Sequence, residues 1–147
     1  MTADRIEREI IISASRQRVW EVLTEADHIS KWFGDSTQVD LLPGGKMVFT
    51  WDKHGSHHAV VERVEPPEFF SYRWARPAGE APAEGNSTLV EFTLSAHGDG
   101  TRLRVVESGF ASLEISEAAK DEAVRENSQG WISELGELVA YAEGLPV

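Results

Sequence analysis

The chain has 147 residues, and 14 Lys+Arg against 25 Asp+Glu leave a formal charge of −11, which argues against nucleic acid or an anionic membrane as a partner. Hydrophobic residues make up 41% and charged residues 27%, the balance of one globular domain spanning residues 1–147, not of a disordered chain. The absence of cysteine excludes a disulfide framework, a thiolate nucleophile and any Cys-based metal site.

Met1-Thr2-Ala3-Asp4-Arg5 runs straight into a charged alternating segment, not an apolar leader, and no run reaches the length of a membrane span. A cytoplasmic protein without membrane insertion is therefore expected. Arg5–Ile12 reads as a strand, with Ile6, Ile10 and Ile12 on one face and Glu7 and Glu9 on the other. Ser13 and Ser15 are good N-caps for a short helix to Thr24 that carries Val19, Trp20 and Leu23. Ala26, Ile29, Trp32 and Phe33 mark a second short helix, stopped at Gly34.

From Ser36 the period becomes two: Val39 and Leu41 lead to a Pro43-Gly44-Gly45 turn, and Met47, Phe49 and Trp51 then share a face. Lys53 to Ser56 reads as a hairpin turn, and His58 to Val64 as a strand ended by Pro66-Pro67. Phe70, Tyr72 and Trp74 alternate next, and Ala75 to Ser87 is a loop that suits either a mobile flap or a loose tip. Thr88 to Leu94 aligns Val90, Phe92 and Leu94. After the Gly98-Asp99-Gly100 turn, Leu103, Val105 and Glu107 share a face of the last strand, which closes at Gly109.

Ser116 can cap a long final helix whose stripe is Val124, Ser128, Trp131, Leu135, Leu138 and Ala142, ended by Gly144 and Pro146. Gly130 and Gly136 inside it suggest close backbone approach or a bend. The order β-α-α-β-β-β-β-β-β-α defines an α+β fold: a curved antiparallel sheet of six to seven strands wrapped around the C-terminal helix, with the two short helices closing one end.

Several segments together resemble one known family. They are Ala14-Ser15-Arg16-Gln17-Arg18-Val19-Trp20-Glu21-Val22-Leu23-Thr24, then Lys31-Trp32-Phe33, then Pro43-Gly44-Gly45. Glu65-Pro66-Pro67 with Tyr72-Arg73-Trp74, Gly100-Thr101-Arg102-Leu103, and Gly130-Trp131 with Leu135 and Leu138 complete the pattern. In this order, over nearly the whole chain, they resemble the activator of 90-kDa heat-shock protein ATPase-like family. That family belongs to the START-like, Bet v 1-like helix-grip superfamily. The resemblance implies a cavity between sheet and helix that takes a small apolar or aromatic ligand, a chaperone partner, and, from other superfamily members, cyclase, aromatase or lyase chemistry.

The aromatic residues are the first candidates for such a site. Phe49, Trp51, Tyr72, Trp74 and Phe92 alternate on separate strands, while Trp32, Phe33 and Trp131 come from the helices that cover them. They form either a packed core or a pocket wall. Trp20 belongs to the core. Val124, Ser128 and Leu135 would face the cavity from the final helix, where Asn127 could also reach a ligand. Glu107 either points inward beside Leu103 and Val105, at a desolvation cost, or twists out to solvent or an arginine. His58 raises the same question beside Val60, and Tyr72 could offer its hydroxyl.

His54, His57 and His58 near Asp52 invite a metal reading, but His57 and His58 point to opposite faces of one strand, and no metal is expected. No nucleophile elbow, zinc-protease motif, phosphate loop or dinucleotide fingerprint occurs, so no catalytic residue and no cofactor are assigned. The leading expectation is a non-enzymatic binder of a small hydrophobic ligand. The alternatives are a stress-related chaperone-interacting module and an enzyme using Glu107, His58 and Tyr72 in the same cavity.

Overall fold

A computed structural model describes residues 4–145. The expected lead at Met1 and the helix stop at Pro146 lie outside the described residues. The order is β1 (Arg5–Ile12), α1 (Arg16–Thr24), α2 (Ala26–Trp32), β2 (Ser36–Val39), β3 (Lys46–Trp51), β4 (Gly55–Glu65), β5 (Phe69–Ala75), β6 (Ser87–His97), β7 (Gly100–Ser108) and α3 (Glu117–Gly144). A single 3-10 turn, Phe110–Ser112, joins β7 to α3. The accessible surface of 7,778 Å² agrees with the roughly 7,500 Å² that area scaling gives for one domain of this mass.

The seven strands form one antiparallel sheet in the order β1-β7-β6-β5-β4-β3-β2. Each neighbour from β2 to β7 is a sequential hairpin, and β1 adds to the far edge along β7. Register carries the alternation across the sheet: Phe49 pairs with His57, Ala59 with Trp74, Tyr72 with Val90, Phe70 with Phe92 and Phe92 with Val105. Direct partners share a face, so the aromatic residues line the concave side that α3 covers. A bulge between Val61 and Arg63 keeps both Val61 and Val64 on that side and increases the local twist. The convex side carries ion pairs, such as Arg104–Glu7 at 2.9 Å and Arg102–Glu9 at 3.3 Å.

Both main helices start on serine caps. Ser15 Oγ accepts from the Arg18 amide at 3.2 Å and Ser116 Oγ from the Ala119 amide at 3.1 Å. Trp32 Nε1 donates to the Val22 carbonyl at 3.0 Å, which locks α2 against α1. At Gly34, φ is +78°, and a Cβ would sit 3.2 Å from the Thr50 carbonyl and 3.3 Å from the Trp51 ring. The close approach of this turn to β3 therefore requires glycine.

Three expectations are corrected here, and one element is added. β4 begins at Gly55, not His58, because Gly55 pairs with Trp51 and leaves only residues 52–54 to turn. β6 runs on to His97 because the β6–β7 hairpin pairs Ser95, Ala96 and His97 as well. The 3-10 turn that buries Phe110 completely was not foreseen. Neither Gly130 nor Gly136 marks a close approach: a Cβ at either position would meet nothing within 4 Å.

The loop over 76–86 is held at three points. Gly79 N–H donates to Ser56 O, Arg76 N–H to Asn86 O and Glu114 N–H to Gly85 O, each at 2.8 Å.

Candidate functional site

The interior of the grip is filled. Leu23, Ile29, Trp32, Phe33, Met47, Phe49, Tyr72 and Phe92 surround a void of only about 10 Å³, at the lower limit for one water molecule. Phe33 does much of the filling. Its ring lies 5.1 Å from Phe49, 5.2 Å from Trp51, 5.8 Å from Trp74 and 5.8 Å from Trp131, stacked on the last.

Open space begins at the mouth, where β3, β4, β5 and α3 meet. A cavity of about 240 Å³ is lined by Trp51, His54, His57, Trp74, Ala75, Arg76, Thr88, Phe110 and Asn127. A second, of about 150 Å³, is lined by Phe33, Trp51, Trp74, Glu126, Asn127, Gly130, Trp131 and Glu134. The two share Trp51, Trp74 and Asn127. The first also continues into an open groove of about 880 Å³ along the 76–86 loop, sharing His54, His57, Arg76 and Asn127 with it.

Glu107 organises this region from beneath. Its inward reading is the correct one: it is 0% exposed, and neutral donors surround its carboxylate. Oε2 accepts from Thr88 Oγ1 at 2.6 Å and Trp74 Nε1 at 2.9 Å. Oε1 accepts from Trp131 Nε1 at 2.9 Å, and Asn127 Nδ2 reaches both oxygens at 3.0 and 3.1 Å. Charge-assisted bonds of this kind are short and strong. Donors from β5, β6 and α3 thus converge on one carboxylate of β7, which fixes two indoles of the cavity wall. Burial raises the Tyr72 phenol well above its ordinary pKa, and the Glu107 charge adds to this, so Tyr72 keeps its proton.

Polar groups border the first cavity. The His57 imidazole packs edge-on against Trp51 at 5.5 Å. Arg76 bonds Glu126 at 3.1 Å and Asn127 Oδ1 at 3.4 Å. In the second cavity, Glu134 has one carboxylate oxygen, Oε2, sealed from solvent with no hydrogen-bond partner. Desolvation, with Glu137 adding to it, pushes its pKa up to about 7.

The sequence candidates therefore separate into groups. Trp51, Trp74, Phe33 and Trp131 line the open cavities, and Glu107 supports them. Trp32, Phe49, Tyr72 and Phe92 are packed around the residual void. Leu135 is buried in the core and Val124 packs against it, and neither they nor half-buried Ser128 belong to the cavity linings. His58 is corrected outright: it pairs with Val48 on the convex face, while His57 takes the inward position opposite Phe49. Glu107, His58 and Tyr72 consequently do not converge. Among the described residues no group of three His, Cys, Asp or Glu is placed to hold a metal.

Sequence reasoning missed Arg76, Thr88 and Phe110, and it weighed His54 and His57 only as metal ligands. For His57 the signal existed, since His57, Ala59 and Val61 alternate in phase with the buried strand face.

A seven-stranded antiparallel sheet curved over a C-terminal helix, with a cavity at its mouth, defines a helix-grip domain. Within that class the chain belongs to the family described as Activator of Hsp90 ATPase homolog 1-like protein, whose model matches residues 13–143. Solved structures agree in fold. The chain is similar to protein MLL2253 from Mesorhizobium loti, with a TM-score of 0.81 and 24% identity over 97% of this chain and 99% of that one. It is similar to the Aha1 dimer from Colwellia psychrerythraea, with a TM-score of 0.79 and 20% identity over 97% and 98%. It is also similar to DynU16, a protein in the dynemicin biosynthetic locus, with a TM-score of 0.77 and 22% identity over 97% of this chain and 48% of that one. No curated protein matches the chain. Among the described residues no helix is long and apolar enough to cross a membrane.

Proposed function

We propose that this protein binds a small, largely apolar aromatic compound at the mouth of the grip, without transforming it. The observation that carries this reading is the cavity of about 240 Å³ walled by Trp51 and Trp74 and edged by His57, Arg76, Thr88 and Asn127. Aromatic walls with a few placed polar groups are the usual composition of a ligand site. The anchored indole of Trp74 means the wall is already ordered before a ligand arrives, which lowers the entropic cost of binding. The volume lies below the roughly 300–1,000 Å³ of drug-sized sites. A compact ring system therefore suits the cavity better than a long acyl chain, with substituents extending into the adjoining groove.

Thermal-shift screening with aromatic polyketides, flavonoids, simple aromatic acids and fatty acids tests the reading. At a hundredfold excess over Kd a ligand stabilises by roughly 2.7 kcal/mol, which for a chain of this length raises Tm by about 8 °C. Trp74→Ala should abolish the shift. A panel that leaves Tm unmoved throughout refutes the proposal.

A second reading, contact with a chaperone, is supported by the family match and by the charge of −11, which suits a basic partner face. A chaperone ATPase rate that the protein leaves unchanged at saturating concentration would end it.

A further inference from the structure

We propose that the smaller cavity, between the end of α2, β3, β5 and α3, is a subsite for an organic ammonium group. The inference rests on the ligand-binding reading above and adds the charge class of the ligand to it. Three indoles and one phenyl ring, those of Trp51, Trp74, Trp131 and Phe33, border a space of about 150 Å³. Aromatic walls of this kind attract an alkylammonium through the negative faces of their rings, with indole the strongest.

Two features make the walls more negative than four neutral rings would be. The N–H groups of Trp74 and Trp131 both donate to the buried Glu107 carboxylate at 2.9 Å, and such bonds polarise the indoles toward higher ring electron density. Glu134 also lines the space, with Oε2 sealed and unpartnered. The other acid of the lining, Glu126, is already engaged by Arg76 at 3.1 Å, so that pair is locally balanced.

The remaining field is that of Glu107 and Glu134. A neutral occupant leaves the Glu134 charge uncompensated, and an anionic one is repelled. A bare metal ion finds rings where it needs oxygen ligands. An alkylammonium both contacts the rings and compensates the carboxylate. Gly130 fits the same reading. It lies in the cavity lining, a Cβ there would meet nothing within 4 Å, and glycine disfavours the helix it occupies. Its lack of a side chain leaves the space open.

The test compares isosteres on the intact protein by tryptophan fluorescence titration. Benzyltrimethylammonium and neopentylbenzene have the same shape and differ only in the charge of one central atom. The cation should bind at least tenfold tighter. Glu134→Gln should reduce that preference to threefold or less. Gly130→Leu should block the cation, while Gly136→Leu, an equally open helical position outside the cavity lining, should leave its Kd unchanged. Equal affinity for the two isosteres overturns the cation subsite and leaves the aromatic site standing. A preference that survives Glu134→Gln overturns it as well, and so does failure of both compounds to bind when the aromatic panel above still yields a ligand.

Discussion

Replacing Glu107 by glutamine tests whether one carboxylate holds the mouth of the grip together. In the native protein Oε1 serves Trp131 and Asn127, while Oε2 serves Trp74 and Thr88. A glutamine retains one acceptor. Its better orientation keeps the amide oxygen on Trp131 and Asn127 and turns the amide N–H toward the Thr88 hydroxyl. Trp74 Nε1 then falls back on Thr88 Oγ1, which already lies 3.1 Å away. Two bonds thus survive without charge assistance, and two are lost or exchanged. With charge-assisted bonds worth roughly 1.5–3 kcal/mol each and neutral ones about 1 kcal/mol, the gross loss is about 3–9 kcal/mol. Release from burying an ion returns part of this, so Glu107→Gln should destabilise by about 2–4 kcal/mol. Glu107→Leu leaves the buried Trp131 donor without any acceptor and Asn127 with only the open cavity to turn to, and should cost about 3–5 kcal/mol, a large share of a typical domain's 5–15 kcal/mol. Urea unfolding followed by tryptophan fluorescence and extrapolated linearly measures both, and near-UV circular dichroism should show loosened indoles in the folded variants. If Glu107→Gln lies within about 0.5 kcal/mol of the native protein, like an ordinary surface change, the carboxylate is not the anchor the geometry makes it.

Glu134 yields a pH prediction of defined sign. Its folded pKa of about 7 stands above the ordinary glutamate value of 4.5, so its contribution to stability is fully present below about pH 4.5 and is lost as pH rises through 7. Glu134→Gln should match the native protein near pH 4.5 and exceed it at pH 8 by about 1–2 kcal/mol, allowing for solvent screening of a partly exposed group. Equal stability at pH 8 would refute the desolvation. Gly136→Ala places a Cβ in open space on an exposed helix turn and should stabilise by about 0.5–1 kcal/mol in urea unfolding. Ser116→Ala removes the α3 cap and should cost about 1 kcal/mol in the same assay. Once a ligand is found, His57→Ala should weaken it about fivefold through loss of a contact worth roughly 1 kcal/mol, and His58→Ala should leave its Kd unchanged.

The fold was legible because its elements announce themselves locally. Arg5–Ile12 alternates with one wet side, Ser15 and Ser116 cap the helices they precede, and Met47, Phe49 and Trp51 repeat every second residue. What escaped is what pairing decides. Ser95, Ala96 and His97 carry no strand signal of their own and become strand because the turn at Gly98 presents Arg102, Thr101 and Gly100 to them. Phe110 reads as one aromatic residue in a loop, and only the tertiary structure turns that loop inward.

The site was half legible, and the division has a physical cause. Alternation tells which side of a strand a ring occupies, but the space left between rings depends on a few ångströms of depth that no period encodes. Phe33 shows this best. It follows the last turn of α2, its ring comes within 6 Å of Phe49, Trp51, Trp74 and Trp131, and that single intrusion closes the interior and displaces the open volume to the mouth. The same shift decides which polar groups matter. A ligand held deep in the grip would have met Tyr72, whereas one at the mouth meets His57, Arg76 and Asn127, which come from β4, the end of β5 and α3. Glu107 links the two regions, because the tryptophans that bound the open space are fastened to a carboxylate buried below them. Ligand affinity and fold stability should therefore fall together in variants of Glu107 and separate in variants of His57, which no such anchor holds.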